Sequence, residues 1–233
     1  MASTPRYLII QNGSTFHVTW QCHNQDWLLK EDWAKKYYYQ LLFKYKNRYQ
    51  IKIHSYSFMD NHPHLTGTLE SMEKFSAFFR LVNSLFAKAV NRFYKRKGQV
   101  VMDRFKSPRI ETDRHLLEVM IYVDLNPFRA KKVKHPKYYQ YTSYGFYAYG
   151  KKDPLIDPPD IYLSLGNSAQ MRQKAYREIV FAVMKKDRNR KRNFSKVYFI
   201  GNPEWVIQQK ERLQQLNKNQ KKKSRMPTAF NPS

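Results

Sequence analysis

Cysteine occurs once in the 233 residues, at Cys22, so no disulfide can form within the chain, and that usage fits a reducing compartment. No apolar run approaches the roughly 18 to 20 residues that a bilayer span needs. Residues 1–10 lack a basic segment followed by an apolar one. These absences lead us to expect a cytoplasmic protein with no membrane segment. There is no internal repeat, no low-complexity tract and no G-x-x-x-x-G-K-[ST] loop of the kind that cradles nucleotide phosphates. Acidic residues are the other scarcity, 18 Asp and Glu against 43 Lys and Arg.

That imbalance leaves a net charge of +25, far beyond the roughly 2 to 8 that keeps a small domain soluble. The expected partner is a polyanion, and nucleic acid leads. Residues 185–233 carry net +11, so +14 remains on the body of the chain. The basic run 185–196 holds Lys185, Lys186, Arg188, Arg190, Lys191 and Arg192, which we assign to phosphate contacts. Arg104 and Lys106 are two further phosphate candidates, although outward residues of any strand would look the same.

Periodicity orders the elements. Residues 15–21 alternate Phe16, Val18 and Trp20 against Thr15, His17 and Thr19, as a strand does. Residues 27–48 read as a helix, 51–60 and 62–69 as two strands turning at Asn61, and 71–97 as a long helix with Ser71 as N-cap and Gly98 as its stop. Its core stripe is Phe75, Phe78, Val82, Leu85, Phe86, Ala89 and Phe93. Residues 99–111 read as a strand broken at Ser107-Pro108, and 113–126 as a helix that Pro127 ends. Strand, helix, strand, strand, helix, strand, helix is a split βαβ order, so the fold class is α+β: ferredoxin-like, with an antiparallel sheet. A helical basic extension follows at 151–216, with helices over 168–186 and 203–216, and then a basic tail at 217–233 of disordered composition. The tyrosine-rich stretch 138–149 reads as a loop with its own small core, ahead of the alternative of stacking unpaired bases.

Two clusters carry chemistry. The period of two sets His62, His64, Thr66 and Thr68 on one face of their strand, and two neighbouring imidazoles can hold a divalent metal that keeps open positions. In 113–126, Leu116, Leu117, Met120 and Ile121 form the apolar side, while His115, Glu118, Tyr122 and Asn126 form a polar stripe opposite. The Tyr122 hydroxyl and the Asn126 amide oxygen, one turn apart, are placed to serve as nucleophile and metal ligand. His17, His54, His115 and His135 have no comparable partners in the sequence and read as ordinary core or surface histidines.

Three stretches, Met59-Asp60-Asn61-His62-Pro63-His64-Leu65, Arg104-Phe105-Lys106-Ser107 and Tyr122-Val123-Asp124-Leu125-Asn126-Pro127-Phe128-Arg129-Ala130, resemble the HUH single-tyrosine transposases, and within them the REP-associated tyrosine transposases. Pro63 departs from the pattern, which usually has an aliphatic residue there. The resemblance implies the same ferredoxin-like fold, with 1–150 as the catalytic domain. It further implies Tyr122 as nucleophile, His62, His64 and Asn126 around Mg²⁺ or Mn²⁺, and cleavage and rejoining of single-stranded, hairpin-forming repeat DNA through a 5' phosphotyrosine. Joining two ends with one tyrosine per chain implies a homodimer. Two other readings stand beside it: a DNA- or RNA-binding protein without a catalytic centre, and a phosphodiesterase using the two histidines as acid and base.

Overall fold

The alternation of the first strand decides which side of the sheet each helix takes. In β1 (Thr15–Thr19) both faces are buried. Residues 4–186 and 194–223 are described by the computed structural model. After β1 come α1 (Asp32–Lys46), β2 (Ile51–Phe58), β3 (Pro63–Leu69), α2 (Met72–Phe93), β4 (Arg109–Ile110) and α3 (Asp113–Asp124). The Phe16 ring meets Phe75 at 4.8 Å and Phe79 at 6.1 Å, so one face of the sheet belongs to α2, with α1 packed beside it. His17 points the other way, to the face that α3 covers. Strand order is β2-β3-β1-β4, all antiparallel, which is the arrangement that the split βαβ order predicts.

Gly67 shows how closely the layers approach. A Cβ there would sit 2.1 Å from the Lys52 carbonyl oxygen and 2.7 Å from the Phe16 ring, so only glycine admits both at this approach. Ser71 caps α2 as expected, its hydroxyl accepting from the Lys74 backbone N–H.

Several boundaries differ from the expected ones. Residues 27–31 precede α1, and Trp27 stays exposed, because the backbone at Leu29 is drawn onto the Asp60 carbonyl at 2.8 Å. α2 ends at Phe93, since Tyr94 and then Lys95, with φ 49°, have already left helical geometry before Gly98 is reached. Phe93 is not core: it is 58 % exposed and packs on Trp33, beyond the end of the sheet. The expected strand 99–111 shrinks to Arg109–Ile110 plus single bridges at Val101 and Lys106, because Pro108 offers no donor to a ladder.

Beyond α3 the chain continues through α4 (Asn126–Arg129), α5 (Tyr144–Tyr149), α6 (Asp160–Leu163), α7 (Ala169–Lys186), β5 (Phe199–Ile200) and α8 (Pro203–Lys223). The extension is not purely helical. β5 adds a fifth strand, parallel to β4. α8 runs to Lys223, into the segment expected to be disordered, since no glycine or proline interrupts its helix-forming Gln, Lys and Leu residues. Residues 224–233 lie outside the described residues, as does most of the basic run, including Arg188, Arg190, Lys191 and Arg192. The tyrosine-rich stretch does form a core: Tyr144, Tyr147, Tyr162 and Tyr176 are buried against one another. Asp124, at the end of α3, anchors it. Its buried carboxylate accepts hydrogen bonds from Thr142 (2.6 Å), Ser143 (2.5 Å) and Tyr176 (2.7 Å). Among the described residues no helix is long and apolar enough to cross a membrane.

Candidate active site

The turn from β2 into β3 delivers the histidine pair. Pro63 opens β3 opposite Phe58, a strand-start position where its missing N–H costs no ladder bond, so the residue that departs from the family pattern fits its place. His62 stands just before the strand and His64 within it, with ring centroids 4.9 Å apart. Both face α3. The His62 Nδ1–H donates to the Asn61 Oδ1 at 2.6 Å, which leaves its Nε2 with the lone pair. Burial pushes the His62 imidazole down to about 4 and holds His64 well below the ordinary histidine value. Both rings are therefore neutral near pH 7, the form that binds metal.

Tyr122 comes to the pair from α3. Its ring stands edge-on to His64 at 5.8 Å and to His17 at 6.1 Å. The polar-stripe reading needs correction here. Tyr122 is only 8 % exposed, because α3 is covered on that side too: Phe194 lies 4.9 Å from the ring, and the Arg129 guanidinium lies 4.9 Å over it. Arg129 also donates from Nη1 to the Tyr122 carbonyl oxygen at 3.0 Å. Asn126 is half-buried one turn on, its Nδ2 donating to the carbonyl oxygens of Tyr122 and Val123, so Oδ1 is the amide atom left for a ligand. The other two members of the stripe do not join the site. His115 is bonded to Thr112 at the start of α3, and Glu118 pairs with Arg114.

Sequence reasoning passed over two residues. His17 is fully buried, and its Nε2 lies 3.0 Å from His64 Nδ1. Burial lowers its pKa to about 3. The signal was present: His17 occupies the polar face of its strand, and once β1 pairs with β3 that face and the face of His64 are one. In the register His17 sits opposite Thr66 and Thr19 opposite His64, so the two histidines are diagonal neighbours. Arg129 was visible only as a letter of the Tyr122 stretch, and nothing in its spacing showed that α4 folds it back over the ring.

Lys106 is brought near and exposed. Its backbone bridges Thr19, which in turn pairs with His64, so Lys106 and His64 lie on one face two strands apart, about 10 Å by strand spacing. Arg104 is also exposed, while Phe105 between them is buried under the Arg6 guanidinium at 3.5 Å. Lys185 and Lys186 are exposed at the end of α7.

Does this donor set suit a divalent ion? Two neutral imidazoles and a half-buried amide oxygen would make a mixed nitrogen and oxygen set that leaves positions for water or substrate, which would suit Mn²⁺ and, less well, Mg²⁺. Among the described residues no group of three or more His, Cys, Asp or Glu side chains is placed to hold a metal ion.

A solved structure of a REP-associated tyrosine transposase bound to a REP hairpin has a similar fold, with a TM-score of 0.54 at 19 % identity over 68 % of this chain and 93 % of that one. No curated protein matches the chain by sequence. The family model for IS200-like transposases matches residues 11–124, a span that runs from before β1 to the end of α3 and contains His17, His62, His64 and Tyr122, though not Asn126 or Arg129. Over residues 11–124, just under half of its length, this chain is therefore similar to the IS200-like transposases.

Proposed function

We propose that the protein cuts and rejoins single-stranded, hairpin-forming DNA by transesterification at Tyr122, acting as a homodimer. The observation that carries this reading is the packing of Tyr122, within the span that matches the transposase model, against both the His64 imidazole and the Arg129 guanidinium. The Tyr122 oxygen attacks the scissile phosphorus, the bond to the 3' oxygen breaks, and the departing oxygen takes up a proton as a free 3' hydroxyl. One phosphodiester replaces another, so rejoining needs no ATP. His62, His64 and Asn126 would hold a divalent cation, Mg²⁺ or Mn²⁺, which when bound would supply Lewis-acid polarisation of the phosphate. Arg129, fixed by its bond to the Tyr122 carbonyl, places a permanent positive charge beside the attacking group. Lys106, Arg104 and the basic run 185–192 hold the flanking backbone through charge.

The test is a hairpin oligonucleotide labelled at either end, incubated with protein and Mn²⁺ and run under denaturing conditions. The reading expects the 3'-end label to migrate with the protein and the 5'-end label to leave on a shorter fragment. DNA bound without any adduct would instead favour a non-catalytic binding protein.

A further inference from the structure

We infer that His17 is a positioning residue for His64: it accepts a hydrogen bond from the His64 Nδ1–H and thereby fixes the tautomer and aim that present Nε2 to the metal. This rests on the reading of His64 as a metal ligand. The geometry of the pair is specific. The planes of the two rings are within 10° of parallel, the centroids are 5.2 Å apart and the Nε2 to Nδ1 contact is 3.0 Å. The centroid separation is the contact plus the two short centroid-to-nitrogen distances, so the rings meet edge to edge in nearly one plane. In that arrangement the N–H of one points along the lone pair of the other. With the two nitrogens aimed at one another in nearly one plane, neither is turned toward an ion, which leaves Nε2 as the ligating atom of His64.

The second observation is what this contact leaves behind. His17 Nδ1 is buried and has no hydrogen-bond partner among the described residues. With Nε2 as the acceptor this Nδ1 carries the proton; an unpaired buried N–H is unfavourable, and a phenylalanine or leucine at the same place would fill the space without it. An imidazole kept there at that expense is kept for its other nitrogen. Partners of this kind orient metal-bound histidines and raise their basicity.

Two measurements separate the possibilities. In the metal-free protein, long-range ¹H–¹⁵N correlation spectra report the tautomer of His64 directly. The inference expects the proton on Nδ1, and a proton on Nε2 would overturn it whatever the protein's activity. Calorimetric titration of the metal-free protein with Mn²⁺ is the second. His17→Phe, which keeps a buried ring, should weaken binding about 10- to 100-fold. His17→Gln, whose amide oxygen can accept from Nδ1–H, should recover most of that loss. Equal affinity in all three proteins would sink the positioning role while leaving the metal reading in place. No Mn²⁺ binding by the parent protein would sink both.

Discussion

Asp124 links the helix that carries Tyr122 to the tyrosine core of the extension, and its titration is measurable. Burial raises its carboxyl to about 6 from 3.8, against the pull of Ser143, Thr142 and Tyr176, whose hydroxyls favour the charged form. The folded state therefore keeps a proton between about pH 4 and pH 6 that the unfolded chain has released. A raised carboxyl of this kind contributes stability that is present below the unfolded value and lost as pH rises through the folded one. A separation of about two pH units corresponds to about 3 kcal/mol. Asp124→Asn is the right comparison, because its amide oxygen can accept from Thr142 and Ser143 while its NH₂ donates to the Tyr176 oxygen. The buried histidines, including His54, also titrate below their ordinary value and act in the opposite direction, but they are common to both proteins and cancel in the difference. Urea unfolding at constant ionic strength from pH 4 to pH 7 should show the stability of the parent relative to the variant falling by about 2 kcal/mol across the range, since the unfolded carboxyl is already partly ionised at pH 4. A difference that stays flat would mean that Asp124 is not shifted, and that the three hydroxyls offset its burial fully.

Gly67→Ala places a methyl group against the Lys52 carbonyl and the Phe16 ring, and should cost about 3 kcal/mol or more in urea unfolding; a loss under about 1 kcal/mol would show that the sheet yields there. Replacing Arg188, Arg190, Lys191 and Arg192 by Gln should make the dependence of log affinity for single-stranded DNA on log salt shallower by about 3, at about 0.7 per phosphate released. An unchanged slope would remove these residues from the DNA interface. Substitution is the proper probe here. Deleting the segment from residue 185 onward would also strip Phe194 from the Tyr122 ring and β5 from the sheet.

The β-hairpin, the α2 cap and the split βαβ order were legible because each is written in local periodicity or in a single capping residue. The role of His17 was not, although its face was read correctly, because a diagonal contact depends on which strand lies beside which. β1 meets β3 across forty-seven residues of chain, through the His17 to His64 bond. The burial of Tyr122 was missed for a similar reason. Its ring meets the sheet through His64 and His17, and the extension covers that same ring with Phe194, contacts that the amphipathic pattern of α3 does not record. β5 is two residues long and carries no signal of its own before the sheet edge receives it.

The central claim is that Tyr122 is the nucleophile, and Tyr122→Phe tests it most directly. The variant keeps the ring that packs on His64, His17 and Phe194, and so should keep its fold and its DNA affinity, with loss of the hydroxyl costing about 1 kcal/mol of stability. With a labelled single-stranded hairpin and Mn²⁺ on a denaturing gel, the parent should yield a protein–DNA adduct and a cleaved strand, and the Phe variant neither. Cleavage by the Phe variant at the parent rate would make Tyr122 a structural residue and contradict the account at its centre.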